Sequence, residues 1–259
     1  MYKTLLVLIL VVLFKVKRDA FLLYPTKDIL STPNEIGLDY IDTTVSDGIL
    51  SVNIWWIPRG NKTFLVSHGN GGNMGNRIAL LSFFDTFFPN HSILMYDYPM
   101  FGKSMSSTNK KSISECLTSS KLAWSYLTKQ KGIHPSDVTL WGESLGCYIS
   151  AKLATDVVCD RLILQSGFSS LRDMISDRVP YVGEYIKYLF WDDLDMVEEL
   201  KKIKNRDIIL LHSPKDWIVP YRQSILLRPF AIKWIDIEGG HNDTIFDETV
   251  ANEIKSVGG

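Results

Sequence analysis

Residues 4–14 (TLLVLILVVLF) form one unbroken apolar stretch, with Lys3 before it and Lys15, Lys17 and Arg18 after it. Beyond it the hydrophobic spacing changes. Residues 36–45 (IGLDYIDTTV) and 49–57 (ILSVNIWWI) alternate as half-buried strands do, most visibly at Leu50, Val52, Ile54 and Trp56. Ser46-Asp47-Gly48 between them predicts a tight hairpin turn. From Thr63 onward, short apolar runs take turns with stretches of helical period. Strands are predicted at 63–67, 92–98, 138–141, 161–165, 207–211 and 231–237. Helices are predicted at 78–88 and 112–129 and from Cys147 to Thr155. This alternation predicts an α/β fold: a mostly parallel sheet with helices on both faces and an antiparallel hairpin at its start. A longer insertion, 167–204, carries three helical stretches and is expected to form a lid-like cover. Its rings Tyr181, Tyr185, Tyr188, Phe190 and Trp191 either line an acyl-binding slot or pack the insertion onto the domain. The expected layout is an anchor in residues 1–20 and one domain in residues 21–259.

Val138–Trp141 runs straight into Gly142-Glu143-Ser144-Leu145-Gly146, and a helix begins just after. Strand, sharp turn with a serine at its tip, and helix make up the setting of a nucleophile elbow; the flanking elements give weight to a G-x-S-x-G pattern that recurs by chance. A serine hydroxyl is a weak nucleophile at neutral pH, so it needs a base and an acid that orients the base. In this arrangement the acid and then the histidine follow the serine along the chain. Two histidines lie downstream. His212, near the end of a buried strand, is expected to pack or hydrogen-bond locally. His241, in the loop after the last strand, is expected to be the base. Asp216, in the loop 213–220 directly after a strand, is the expected acid. Asp173, Asp192, Asp193 and Asp195 are rivals in the insertion, and Asp243 is too close to His241 in sequence to reach its far ring nitrogen.

A tetrahedral oxyanion needs two donors. The main-chain amide of Leu145 is one candidate, and that of Asn70, in the loop after the 63–67 strand, is the other. His68 is expected to brace that loop. HGNGGN lacks the G-x-x-x-x-G-K-[ST] of a phosphate loop, which sets a nucleotide site aside.

Composition narrows the picture. The chain has 259 residues, enough for one full-sized domain, with 46% hydrophobic and 22% charged residues. A net charge of −1, with no basic stretch interleaved with aromatics, points away from nucleic acid. Three cysteines without C-x-x-C spacing give no zinc site or disulfide framework, and no metal or cofactor is expected. Few cysteines favour a reducing compartment, whereas sequons at Asn61, Asn90 and Asn242 point the other way.

At 1.5 Å per residue a helix over 4–14 falls short of a hydrocarbon core of about 30 Å. It lacks the small-x-small site of a cleaved signal peptide and the amphipathicity of a core helix. An uncleaved signal-anchor or an interfacial anchor fits it best. The basic residues on its C-terminal side are expected to leave the domain on the cytoplasmic side of a membrane.

HGNGGNMGNR (68–77), YDYPMFGKS (96–104), GESLG (142–146), SGFSSLRDM (166–174), PKDWIVP (214–220) and GHNDT (240–244) occur in the order expected of an α/β-hydrolase. Together they resemble the abhydrolase-domain branch that contains the bud-emergence-suppressor-like proteins and the protein depalmitoylases, from about Phe21 to the C-terminus. The resemblance implies Ser144 as nucleophile, Asp216 as acid, His241 as base, and the amides of Asn70 and Leu145 at the oxyanion. Two positions depart from the pattern: Pro99-Met100-Phe101 precedes Gly102, and Cys147 stands where a third small residue is usual. The expected activity is a serine hydrolase acting on carboxylic esters or thioesters through an acyl-enzyme, on lipid or S-acyl substrates at a membrane. A non-catalytic scaffold on the same fold and a serine peptidase are the alternatives. Epoxide and haloalkane hydrolysis call for an aspartate at position 144.

Overall fold

The computed structural model describes residues 17–179, 183, 194–204 and 206–257. The apolar run 4–14 and the five insertion rings from Tyr181 to Trp191 therefore lie outside the described residues. Among the described residues, no helix is long and apolar enough to cross a membrane.

Eight strands form the main sheet: β1 (Ile41–Ser46), β2 (Leu50–Ile57), β3 (Thr63–Ser67), β4 (Ser92–Tyr96), β5 (Val138–Glu143), β6 (Arg161–Gln165), β7 (Asp207–His212) and β8 (Lys233–Asp236). They lie in the order β1-β2-β4-β3-β5-β6-β7-β8, and Met105–Ser106 adds a two-residue strand to β2. β2 runs antiparallel to both its neighbours; the pairings from β4 to β8 are all parallel. This is the mostly parallel α/β sheet expected from the chain's alternating pattern, in the α/β-hydrolase fold that the resemblance implied.

The helices are α1 (Ile78–Phe87), α2 (Ile113–Ser125), α3 (Leu145–Asp156), α4 (Leu171–Arg178), α5 (Met196–Lys202), α6 (Arg222–Leu227) and α7 (Glu248–Lys255). The parallel strands read as continuous apolar runs because both of their faces are covered. In β7, Ile208 and Leu210 enter the core shared with α2 and α3, whereas Ile209 and Leu211 enter the core shared with α1 and α7. Trp141 on β5 is fully buried and donates its indole N–H to Gln165 on β6 at 3.0 Å, so the strand that ends at the elbow is pinned by packing and by one buried hydrogen bond.

Most boundaries shift by a residue or two from the sequence pattern, and three of the differences have a local form. β1 begins at Ile41 rather than residue 36, because Pro33–Ile36 forms a 3₁₀ turn that closes at Gly37, whose φ is 75°. The helix expected over 112–129 is α helical to Ser125 and closes with a π turn, Tyr126–Gln130. α3 begins at Leu145, directly after the serine, rather than at Cys147.

Before the sheet, Tyr24–Pro25 pairs in parallel with Gly71–Gly72, the glycine-rich loop that follows β3. Tyr24 N–H donates to the Asn70 carbonyl at 2.8 Å, and the Asn70 side-chain amide donates to the Leu22 carbonyl at 2.9 Å. The segment that follows the N-terminal apolar run is thereby stitched onto the loop over the C-terminal edge of the sheet.

Candidate active site

β5 delivers Ser144 to the C-terminal edge of the sheet and α3 carries the chain away. To fit that turn Ser144 takes φ 53° and ψ −115°, a sparsely populated conformation for a residue with a Cβ. The crossing is tight. A Cβ on Gly142 would stand 2.5 Å from the Cα of Cys147, and one on Gly146 would enter the Ser67 carbonyl. Cys147 fits behind the turn with its Sγ against the carbonyls of Gly142 (3.2 Å) and Gln165 (3.1 Å). The extra atom at this departure from the usual small residue is thus used as a weak donor.

The loops after β7 and β8 bring Asp216 and His241 to the same edge. His241 Nε2 lies 3.0 Å from Ser144 Oγ, and His241 Nδ1 lies 2.6 Å from Asp216 Oδ2. With Nδ1–H donating to the carboxylate, Nε2 is left to accept the serine proton. The other carboxylate oxygen of Asp216 accepts the main-chain N–H groups of Ile218 (2.9 Å) and Val219 (2.8 Å). Burial pushes the Asp216 carboxyl up, but the hydrogen bonds from His212 and His241 and the His241 charge outweigh it and hold the group well below the usual carboxylate range.

His212 hydrogen-bonds locally, as expected, donating from Nε2 to the Val219 carbonyl at 3.0 Å. The same nitrogen lies 3.4 Å from Asp216 Oδ2, so the buried ring also borders the acid. The rival carboxylates are occupied elsewhere: Asp173 accepts the hydroxyls of Ser169 and Ser170 at the start of α4, Asp195 caps α5, and Asp243 accepts from Gly240 at 2.9 Å within the His241 loop. Asp192 and Asp193 lie outside the described residues.

Asn70 and Leu145 line one apolar pocket together with Ser144. Among the described residues no acceptor takes the main-chain N–H of either, which leaves two donors for a developing oxyanion. His68 braces its loop, with Nδ1 2.7 Å from the Gly69 carbonyl and Nε2 3.3 Å from Asp97. Phe101, from the unusual Pro99-Met100-Phe101 stretch, is fully buried with its ring centroid 5.2 Å from that of His68.

Sequence reasoning passed over one pair. Arg77, at the end of the glycine-rich loop, makes a bidentate contact with Glu143, the residue before the serine: Nε to Oε2 and Nη2 to Oε1, each 3.0 Å. Its Nη1 donates to the carbonyls of Gly71 (2.8 Å) and Asn73 (3.2 Å). One guanidinium therefore ties the loop carrying Asn70 to the elbow carrying Leu145. Burial pushes the Glu143 carboxyl up, and the Arg77 charge and hydrogen bonds bring it below its ordinary value. The signal in the sequence was a glutamate inside GESLG and an arginine closing HGNGGNMGNR, two motifs each read for its glycines.

Ser144 stands between two cavities of different character. On one side is a pocket of about 130 Å³ walled by Leu22, Leu145, Phe168, Leu171, Met174 and Ile218. On the other, a cleft of about 500 Å³ carries Asn76, Arg77, Glu143, His241, Asn242 and Thr244. Among the described residues no cluster of histidine, cysteine or carboxylate side chains could hold a metal ion.

No family profile matches the chain. It is 28% identical over 229 residues to the Schizosaccharomyces pombe protein bem46, covering 83% of this chain and 75% of that one. It is also 28% identical over 235 residues to the uncharacterized protein R595 of Acanthamoeba polyphaga mimivirus, covering 83% and 74%. Human alpha/beta hydrolase domain-containing protein 17C matches at 25% over 190 residues, 72% of this chain and 54% of that one. Among solved structures, the Pyrococcus furiosus esterase Pf2001 superposes with a TM-score of 0.72 at 15% identity, over 91% of this chain and 96% of the esterase. Mouse alpha/beta hydrolase domain-containing protein 10 superposes with a TM-score of 0.56 at 15% identity, over 84% and 95%.

Proposed function

We propose that this chain, an α/β-hydrolase of the branch that contains bem46 and the domain-containing 17 proteins, is a serine hydrolase that cleaves esters or thioesters of apolar acyl groups. The observation that carries the proposal is the unbroken relay from Ser144 Oγ through the His241 ring to Asp216. In the acylation step Ser144 Oγ attacks the acyl carbon while His241 Nε2 takes its proton, and Asp216 stabilises the imidazolium that forms. The carbonyl oxygen becomes an oxyanion facing the amides of Asn70 and Leu145. When the C–O or C–S bond breaks, His241 returns the proton to the leaving oxygen or sulfur. A water then enters and attacks the acyl carbon as it loses a proton to His241; the bond from that carbon to Ser144 Oγ breaks, His241 returns the proton to Oγ, and the acid leaves.

The two cavities support an orientation. Because His241 protonates the leaving group, that group belongs in the polar cleft that His241 lines, and the acyl chain belongs in the apolar pocket beside Leu145. A lipid or an S-acylated cysteine meets both demands. Residues 1–20 serve as a membrane attachment, residues 21–259 as the hydrolase domain and 167–204 as a cover over the elbow. Support for the attachment is the apolar run 4–14 with its basic flanks.

The test is labelling by a fluorophosphonate probe, which forms a covalent bond with an activated serine. Wild type is expected to label and Ser144→Ala to remain unlabelled. Equal labelling of the two, or none of wild type, overturns the proposal and leaves a scaffold.

A further inference from the structure

We propose that the rim of the apolar pocket is the face this protein lays on a lipid bilayer, with Tyr24 and Trp217 seated among the headgroups. The inference rests on the membrane attachment proposed above and adds which side of the domain meets the lipid.

Two segments contribute to the pocket wall, one through Leu22 and the other through Ile218. Beside these half-buried residues the first carries the exposed rings of Phe21 and Tyr24 and the second that of Trp217. Phe21 is 51% exposed, Tyr24 58% and Trp217 71%. Single exposed apolar residues are ordinary on a soluble surface, but three rings within two residues of one pocket's wall are not. Trp217 directly follows Asp216, so this aromatic surface sits beside the relay and not on a remote face.

Cations accompany the rings. Lys111 Nζ lies 5.9 Å from the centroid of the Tyr24 ring, and the exposed Arg178 donates to the main-chain carbonyls of Trp217 and Ile218. Tyrosine and tryptophan with lysine and arginine between them are what a headgroup layer accommodates: the rings lie at the boundary and the cations meet lipid phosphates.

Chain length sets the distance. Seven residues separate Phe14, the last of the apolar run, from Leu22, which makes eight steps along the chain. Even fully extended they span at most about 28 Å. Leu22 and Tyr24 are held to Asn70 by two hydrogen bonds, so an anchor in residues 4–14 keeps the pocket mouth within that distance of the bilayer. An acyl chain can then pass from the lipid into the pocket along an apolar path. Val158, exposed just before β6 at the opposite edge of the sheet, has no share in this surface.

The three native cysteines, Cys116, Cys147 and Cys159, are buried, so a surface cysteine can be labelled selectively. Full-chain Tyr24→Cys, Trp217→Cys and Val158→Cys, each carrying a nitrobenzoxadiazole label, are mixed with phosphatidylcholine–phosphatidylserine vesicles containing nitroxide lipid. The expected result is co-sedimentation, with labels at 24 and 217 shifted to the blue and quenched several-fold more than the label at 158. Equal quenching at all three positions, or strongest quenching at 158, overturns the face. A chain that co-sediments with 24 and 217 still in water keeps its attachment and loses this face; a chain that stays in solution loses both. Unlabelled Trp217→Ser provides a second measurement. It is expected to hydrolyse dissolved p-nitrophenyl butyrate at the wild-type rate and to lose several-fold on a long-chain ester embedded in vesicles. An equal loss on both substrates, or a loss on neither, also overturns the proposal.

Discussion

Arg77→Met removes the bidentate partner of Glu143, the carboxylate directly before the candidate nucleophile in the chain. The Arg77 and Glu143 side chains are 11% and 18% exposed, so neither is well screened by water. Removing one member of such a pair costs roughly 3–5 kcal/mol, mostly because the surviving charge is left buried without compensation. The hydrogen bonds to the carbonyls of Gly71 and Asn73 go as well, at about 1 kcal/mol each where they stay dry. At roughly 2–4 °C per kcal/mol for a domain of this size, the melting midpoint is expected to fall by about 10–25 °C. pH provides a second signature. Without Arg77, burial is the dominant influence left on Glu143, so its folded-state pKa is expected to rise above its unfolded value. The penalty is then absent below the unfolded carboxylate pKa and grows as pH rises, so the variant comes closest to wild type in mild acid. The assay is thermal unfolding at pH 5 and pH 8, together with the rate of fluorophosphonate capture. Arg77→Met combined with Glu143→Leu removes the stranded charge and is expected to recover a large part of the stability. A loss below about 1 kcal/mol in the single variant, or a double variant as unstable as the single one, would refute the reasoning.

Three further outcomes follow from the relay and its turn. His241→Ala is expected to lower ester turnover by about 10⁴–10⁶ and Asp216→Asn by about 10⁴, with both chains still folded by circular dichroism; steady-state kinetics on p-nitrophenyl esters checks both. Gly146→Ala drives a methyl into the Ser67 carbonyl and is expected to abolish soluble folded protein or serine capture, scored by circular dichroism and probe labelling. Asp216 is held well below its unfolded pKa, so its stabilisation is fully present above the ordinary carboxylate pKa and is lost as pH falls through its folded value. The stability gap between wild type and Asp216→Asn, measured by urea unfolding, should therefore narrow from pH 6 to pH 3, and a gap that widens would contradict the geometry.

The sheet was legible because each buried strand is a short apolar run and each helix has its own period. Chain order and strand ends brought Ser144, Asp216 and His241 together as candidates, since all three follow strands whose C-terminal ends share one edge. The missing parts depend on tertiary contact. Arg77 and Glu143 are 66 residues apart and meet only when the loop after β3 lies over the end of β5. Leu22 is one of many apolar residues near the N-terminus; its place in the pocket wall comes from a hydrogen bond from the Asn70 side chain to its carbonyl and one from Tyr24 N–H to the Asn70 carbonyl, which no periodicity reveals. The false start of β1 has a local cause: the apolar Ile36 and Leu38 mimic strand alternation, while Pro33 and Gly37 close a 3₁₀ turn around them.

The backbone of Ser144 has one more consequence. A residue held at φ 53° and ψ −115° stores about 1–3 kcal/mol that the rest of the fold must supply. Glycine at 144 would release that tension and forfeit under about 1 kcal/mol through its freer unfolded chain. A Ser144→Gly copy of this protein should therefore be at least as sturdy as the serine form. Stability alone gives no reason for a hydroxyl at this position.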